Sequence, residues 1–479
     1  MNNMSSLIEN FIKKRRTDLI VIVPLFLISL LSGTYAHYPV SITNDPAIHS
    51  EMVNVMRHQG YPNTWEPYAA NDFTYPPLFH FSALLLNLLG VTTIDAVRIS
   101  GIILWALLPV AAYILGSVYG RKTAMLSAFM ALSLPFLSNV FIFGEFPQLL
   151  AMELLILEVY LLKKGKYAYS GIAVGLAILS HPFISVVSFM VYLYFVLPIS
   201  LGKVKNLLLI PLPFVVSLPW ITKYVQIFFN MYSGTWQNTV YNEYQPAFWF
   251  WPADTLAKYL FDFNYFTPMV LLLCCVGLAK TEDKFLRSFF MAAFLFSVFH
   301  LPYTQLKVFD VMAVPSLILA PIGILAINER LRKCNPKYGF LTIAAFIIIM
   351  SSFQTYHFYY AKNFWADSEI SPEPSLYATA FWLGEYDKTE ARIYVDSAPA
   401  WFGALSHKIP LEPEISYLER FSENYIEQQK INRIIKEKLR NKEDVSVLAH
   451  NAGLKYVITK EEADLDVVHS GDGWFVYAI

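Results

Sequence analysis

The sequence predicts an α-helical polytopic membrane protein that carries a C-terminal α/β domain outside the bilayer. Three observations lead there. The chain has 479 residues, of which 56% are hydrophobic, 16% aromatic and only 15% charged, with a mean hydropathy of +0.42, too apolar for a soluble protein of this size. Several apolar runs approach or exceed the roughly 20 residues that a helix needs to cross a bilayer. From about Asn363 onward the hydropathy falls, and helix-like and strand-like periodicities alternate.

The first apolar run, Leu19 to Tyr35, lacks a small-residue cleavage site and reads as a retained span rather than a signal peptide. Lys/Arg clusters then set the orientation, because they mark cytoplasmic loops. They are KKRR (13–16), GRK (120–122), KKGK (163–166), KVK (203–205), KTEDKFLR (280–287) and NERLRKCNPK (328–337). Taking LFHFSALLLNLLG (78–90) as a short helix in the interface, rather than a crossing, puts every cluster on one side. The result is about eleven spans, with the N-terminus cytoplasmic and the C-terminus extracytoplasmic.

The expected organisation is a membrane domain over 1–362 with a large first outer loop at 36–97, and an extracytoplasmic α/β domain over 363–479 of a cell-membrane protein. Within the latter, SLYATAFWLGEYD and SENYIEQQKINRIIKEKLRNKED have helical patterns, whereas ARIYVDS, GLKYVIT and GWFVYAI read as strands. The formal net charge of −1 gives no reason to invoke nucleic acid, no nucleic-acid motif appears, and no nucleic-acid partner is expected. Cys274 and Cys275 in an apolar run and Cys334 in a basic loop argue against a disulfide-built exterior.

The candidate chemistry gathers in the outer loops. SITNDPAIHSEM (41–52) places Asp45 just past a span, where a carboxylate needs water, a cation or a partner. A helix N-cap at Asn44 or Asp45, followed by Pro46, accounts for the same residues. His49, one helical turn on, shares the face of Asp45. Glu145 is the only acid in the second outer loop, FGEFPQLL, and Lys307 in HLPYTQLKVFD stands at the mouth of a span, with Asp310 three residues on as its candidate partner. His181 and His300 read as structural histidines at helix ends. Trp236, Trp249, Trp251, Tyr241 and Tyr244 read as an aromatic belt at the interface.

The order DPAIHSEMVNVMRHQGYP, then TYPPLFHF, then VRISGIILWALLPVAAYILGSVYGRKTAMLSAFMALSLPF resembles the GT-C superfamily of integral membrane glycosyltransferases. The nearest branches are the uncharacterised 6-pyruvoyl-tetrahydropterin-synthase-related membrane proteins and, more distantly, the oligosaccharyltransferase catalytic subunit. Nothing in the sequence resembles pterin chemistry. The resemblance implies a glycosyltransferase that moves a sugar from a polyprenyl-phosphate donor to a lipid-linked, glycan or protein acceptor on the outer face of the membrane. It implies catalytic roles for Asp45, Glu145 and His49, with Asp45 as the base, and donor-phosphate binding by Lys307. A divalent cation, Mg or Mn, on Asp45 and Glu145 is a further implication, although the family often has a fuller acidic motif where this chain has Glu145 alone. The Trp-Trp-Asp motif of oligosaccharyltransferases is absent. At its place stands DSAPAWFGALSH (396–407), where Asp396 and Trp401 are relics or belong to a different acceptor site.

Two other classes compete. A transporter or lipid flippase predicts charges within spans and paired, interrupted helices in two halves. A non-catalytic glycan-binding or assembly subunit predicts that Asp45 can be lost without effect.

Overall fold

A computed structural model describes residues 2–38, 45–62, 64, 75–202, 204–232, 268–298, 305–360, 374–411, 423–471 and 473–479. The helices in chain order begin with α1 (Asn2–His37), α2 (Asp45–Gln59), α3 (Leu78–Leu88), α4 (Thr93–Gly116), α5 (Arg121–Ser133), α6 (Pro135–Ile142), α7 (Phe146–Lys163), α8 (Tyr167–Ile178) and α9 (Pro182–Gly202). Then come α10 (Leu212–Tyr232), α11 (Pro268–Lys280), α12 (Lys284–Val298), α13 (Gln305–Cys334), α14 (Pro336–Tyr360), α15 (Pro374–Tyr386), α16 (Pro399–Ser406), α17 (Glu423–Arg440) and α18 (Ser446–Asn451). The strands are β1 (Arg392–Val395), β2 (Ile409–Pro410), β3 (Tyr456–Thr459), β4 (Asp466–Gly471) and β5 (Trp474–Ala478). The chain divides into two compact units.

The first unit comprises Met1–Tyr38, Gly101–Ile221 and Tyr244–Lys362. Among the described residues of the whole chain, six helical stretches are long and apolar enough to cross a bilayer, among them Asp18–His37, Pro182–Gly202 and Asp310–Cys334. Other helices are apolar but short: α8 has 12 residues and α11 has 13. Between α5 and α6 the helix breaks at Leu134, whose backbone is extended ahead of Pro135, as proline demands of the residue before it. Helices α11 and α13 pack closely because each offers a glycine to the other. A Cβ on Gly277 would overlap the Leu319 carbonyl, and one on Gly323 that of Leu273. Small residues permit such approach where lipid supplies no hydrophobic drive between helices.

One carboxylate joins three of the basic loops. Asp283, just ahead of α12, accepts Lys163 Nζ at 2.5 Å and the Tyr119 hydroxyl at 2.7 Å, and its other oxygen caps α12 through the Leu286 N–H at 3.2 Å. Burial alone would raise the Asp283 carboxyl, but these bonds hold it below the ordinary carboxylate range. Arg121 in turn meets Asp18 at 2.5 Å. The GRK, KKGK and KTEDKFLR stretches are therefore joined at Asp283. Replacing Asp283 with Ala leaves the Lys163 ammonium without its carboxylate. The expected loss is on the order of 2–3 kcal/mol, read as a lower thermal midpoint of the detergent-solubilised protein, with Asp283→Asn milder.

The second unit comprises Pro39–Ser100, Thr222–Glu243 and Asn363–Ile479. Its centre is a five-stranded sheet in the order β2-β1-β3-β5-β4, in which β1 lies parallel to β2 and β3 while β5 runs antiparallel to β3 and β4. Alternate residues serve opposite faces. Ile393, Val395, Tyr456, Ile458, Trp474 and Val476 pack under α15 and α16, and this core also takes in Ala47 of α2 and Ile94 of α4. Tyr394, Val457 and Tyr477 pack under α17 and α18 through Ile435, Leu439 and Ala449. Helix α3 belongs here too. Its 11 residues span about 16 Å, about half the thickness of a hydrocarbon core.

The turn between α15 and β1 is held by Asp387, which accepts the Thr389 N–H at 2.9 Å, Lys455 Nζ at 2.9 Å and the Tyr456 hydroxyl at 3.0 Å. Burial opposes ionisation of Asp387, which is only 8% exposed, but the converging donors outweigh it and hold the carboxyl well below its usual range. Because the folded pKa is depressed, the unfolded chain binds the extra proton. The stabilisation is complete above the unfolded pKa, near 4, and is lost as pH falls below it. Thermal scans should thus show the midpoint falling progressively from about pH 5 downward. Asp387→Asn should flatten that dependence while lowering the midpoint at pH 7.

Candidate functional site

Helix α2 opens at Asp45, and Pro46 follows in its first turn. A carboxylate there faces the positive end of the helix dipole. Asp45 is half-buried, whereas His49, Ser50 and Glu51 are buried. The helix is fixed on several sides. Ala47 enters the core beneath α16, Ser50 Oγ donates to Thr93 Oγ1 at 3.2 Å, and His58 meets Glu390 at 3.1 Å.

His49 is paired with a second histidine. His80 of α3, with no exposed surface, sets its Nε2 3.1 Å from His49 Nδ1 and its Nδ1 3.3 Å from the Pro76 carbonyl. Tyr75 and Phe79 wall the pair, with ring centroids 5.8 Å from His49. Burial pushes the His80 imidazole down to about 3, so it is neutral at physiological pH. Near the start of α4, the buried Arg98 donates to the Tyr377 hydroxyl at 3.0 Å, reaches Asp95 at 3.5 Å and lies 5.2 Å from the centroid of the Trp401 ring.

Glu145 belongs to the first unit. It precedes α7 in a tight turn with Gly144 at φ 79°, a conformation that suits glycine, and its side chain makes no capping bond to α7. His37 braces this turn. Its Nε2 donates to the Phe141 carbonyl at 3.0 Å, and its ring meets Phe141 and Phe146 edge-on. Gln148, buried in the first turn of α7, donates to Asp310 of α13 at 2.5 Å. Lys307 lies in the first turn of α13, but its side chain falls outside the described residues.

Of the residues singled out in the sequence, Asp45 and His49 share α2, and Asp310 finds a partner in Gln148. His181 accepts the Ile184 N–H at 3.4 Å, the structural role expected of it. His300, Trp236, Trp249, Trp251, Tyr241 and Tyr244 lie outside the described residues. Trp401 has no exposed surface and belongs to the core of the second unit. The sequence reading missed His80, His37 and Arg98. Only for His80 was there a signal, a lone imidazole directly after a Tyr-Pro-Pro helix start. Among the described residues no three His, Cys, Asp or Glu side chains converge as metal ligands.

No family model matches the sequence, and no curated protein matches it. Solved structures do. The chain is similar to the oligosaccharyltransferase of Archaeoglobus fulgidus tethered to an acceptor peptide containing the NVT sequon, with a TM-score of 0.51 and 13% identity over 94% of this chain and 70% of that one. The same enzyme has been crystallised with Zn and sulfate. ArnT from Cupriavidus metallidurans matches with a TM-score of 0.57 and 12% identity over 97% of this chain and 98% of its own, and it has also been solved bound to undecaprenyl phosphate. The mycobacterial arabinofuranosyltransferase AftD matches at 0.53 and 14% over 97% of this chain but 40% of its own length. The chain has the fold of the GT-C glycosyltransferases, a multi-pass membrane architecture.

The packing of α2 on α16 makes a stability prediction. Trp401→Ala should cost about 3–5 kcal/mol and speed amide exchange in α2 as well as in the sheet, whereas Trp401→Phe should leave α2 protected.

Proposed function

We propose that the protein is a glycosyltransferase that moves a sugar from a polyprenyl-phosphate donor to a lipid-linked, glycan or protein acceptor on the outer face of the cell membrane. The observation that carries this reading is the fold shared with ArnT along nearly the whole of both chains, together with a carboxylate and an imidazole one turn apart on α2. The N-terminus is cytoplasmic and the C-terminal α/β segment extracytoplasmic, as the basic loops require.

In this reading the Asp45 carboxylate takes the proton of the acceptor hydroxyl as its oxygen attacks the anomeric carbon. The bond from that carbon to the phosphate oxygen breaks, and the polyprenyl phosphate leaves with the electron pair. A base that acts in the attacking step is worth about 10²–10⁴ in rate. Single displacement inverts the anomeric centre. Lys307 stabilises the charge gathering on the departing phosphate, as fixed cations do where charge develops. Glu145 assists from the second outer loop.

The test is sugar transfer in membranes supplied with polyprenyl-phosphate sugars and extracted endogenous acceptors. Wild type should transfer. Asp45→Asn, equally abundant and folded, should lose on the order of 10³-fold, and Lys307→Ala should lose more in kcat than in donor KM. Equal transfer by wild type and Asp45→Asn removes Asp45 from the chemistry.

A further inference from the structure

We propose that His80 is a positioning residue that fixes the tautomer of His49, so that neutral His49 carries its proton on Nδ1 and its lone pair on Nε2. The assignment follows from a chain of donors with one fixed end. The Pro76 carbonyl can only accept, so His80 Nδ1, 3.3 Å away, is the nitrogen that donates. With no exposed surface, His80 is neutral and holds a single ring proton. Its Nε2 is therefore an acceptor, and His49 Nδ1, 3.1 Å from it, donates.

The sequence explains why the fixed end exists. Pro76 and Pro77 both lack an N–H, and their fixed φ suits them to start a helix. The Phe81 N–H takes the Pro77 carbonyl at 2.9 Å, and the His80 ring reaches the Pro76 carbonyl one turn back. Tyr75 and Phe79 hold both rings from the side, with the Tyr75 centroid 5.5 Å from His80.

This inference rests on the glycosyltransferase reading for its catalytic meaning. His49 stands one turn from Asp45 on α2, where an imidazole locked with its lone pair on Nε2 relays onward the proton that Asp45 takes from the acceptor hydroxyl, without turning its ring. With the other tautomer, Nε2 would donate instead and oppose the relay. The logic is that of any base oriented through its second ring nitrogen.

The experiment uses full-length protein labelled with [15N]histidine in lipid nanodiscs, with the His49 signals assigned by their loss in His49→Gln. Wild type should show a protonated Nδ1 and a bare Nε2 at His49. His80→Phe removes the acceptor and should mix the two tautomers, and His80→Gln, whose amide oxygen can accept from His49, should restore the wild-type pattern. In transfer assays His80→Phe should lower kcat on the order of 10²-fold with donor KM unchanged, and His80→Gln should recover much of it. A proton on Nε2 of His49 in wild type, alone or together with one on Nδ1, overturns the proposal. So does His80→Phe with an unaltered His49 spectrum and kcat. Should His80→Phe not fold, the wild-type and His80→Gln spectra still decide. If wild type transfers no sugar from any donor, the glycosyltransferase reading falls while the spectra judge the tautomer separately.

Discussion

Ala47 has no exposed surface because α16 closes over it, and the arrangement of the second unit follows from that burial. A helix held only by the chain on either side of it would place Asp45 and His49 loosely. Here α2 is anchored from within the hydrophobic core of the α/β sheet, and Ile94 at the start of α4 enters the same core. Residues far apart in sequence thus form one rigid support, with the Ser50 to Thr93 and His58 to Glu390 contacts fixing its rotation. A group that must act within a few tenths of an ångström needs such a scaffold.

The bilayer sets the other constraint. Within hydrocarbon every backbone group must bond inside its own helix, so breaks occur where a neighbour or proline allows them, as at Leu134 ahead of Pro135. Polar side chains obey the same rule. Glu158, fully buried on α7, accepts the Ser188 hydroxyl of α9. A carboxylate partnered within a helix pair is what packing alone asks for.

Much of this was legible in the sequence because periodicity reports burial. SLYATAFWLGEYD is α15, the charged run is α17, and ARIYVDS, GLKYVIT and GWFVYAI hold β1, β3 and β5. Strand β4 was not seen. DVVHSG lies at the sheet edge with its residues exposed or half-buried, so no apolar alternation marks it. Nor was α16, whose eight residues sit between Ala398 and His407, both with left-handed backbones that no propensity scale foresees. LFHFSALLLNLLG forms the short helix expected of it. Against the expectation of about eleven spans, six helices among the described residues are long and apolar enough to cross a bilayer. Helix α7 carries two glutamates, and α8 and α11 fall short of a full crossing length. At the site, Asp45 and His49 stood out by position alone, but His80 was hidden in an apolar run. Pairing across 31 residues has no local signature.

Trp401 bears on what the acceptor is. The sequence left it open as a remnant of a motif that oligosaccharyltransferases use, or as a new acceptor contact. Its burial decides against direct contact. The indole lies in the core beneath the sheet with the Arg98 guanidinium beside its ring, and that guanidinium is itself held by Tyr377 and Asp95. Exposing Trp401 would open the core that anchors α2. Packing within the second unit is reason enough for a tryptophan at 401, whatever motif its neighbours resemble.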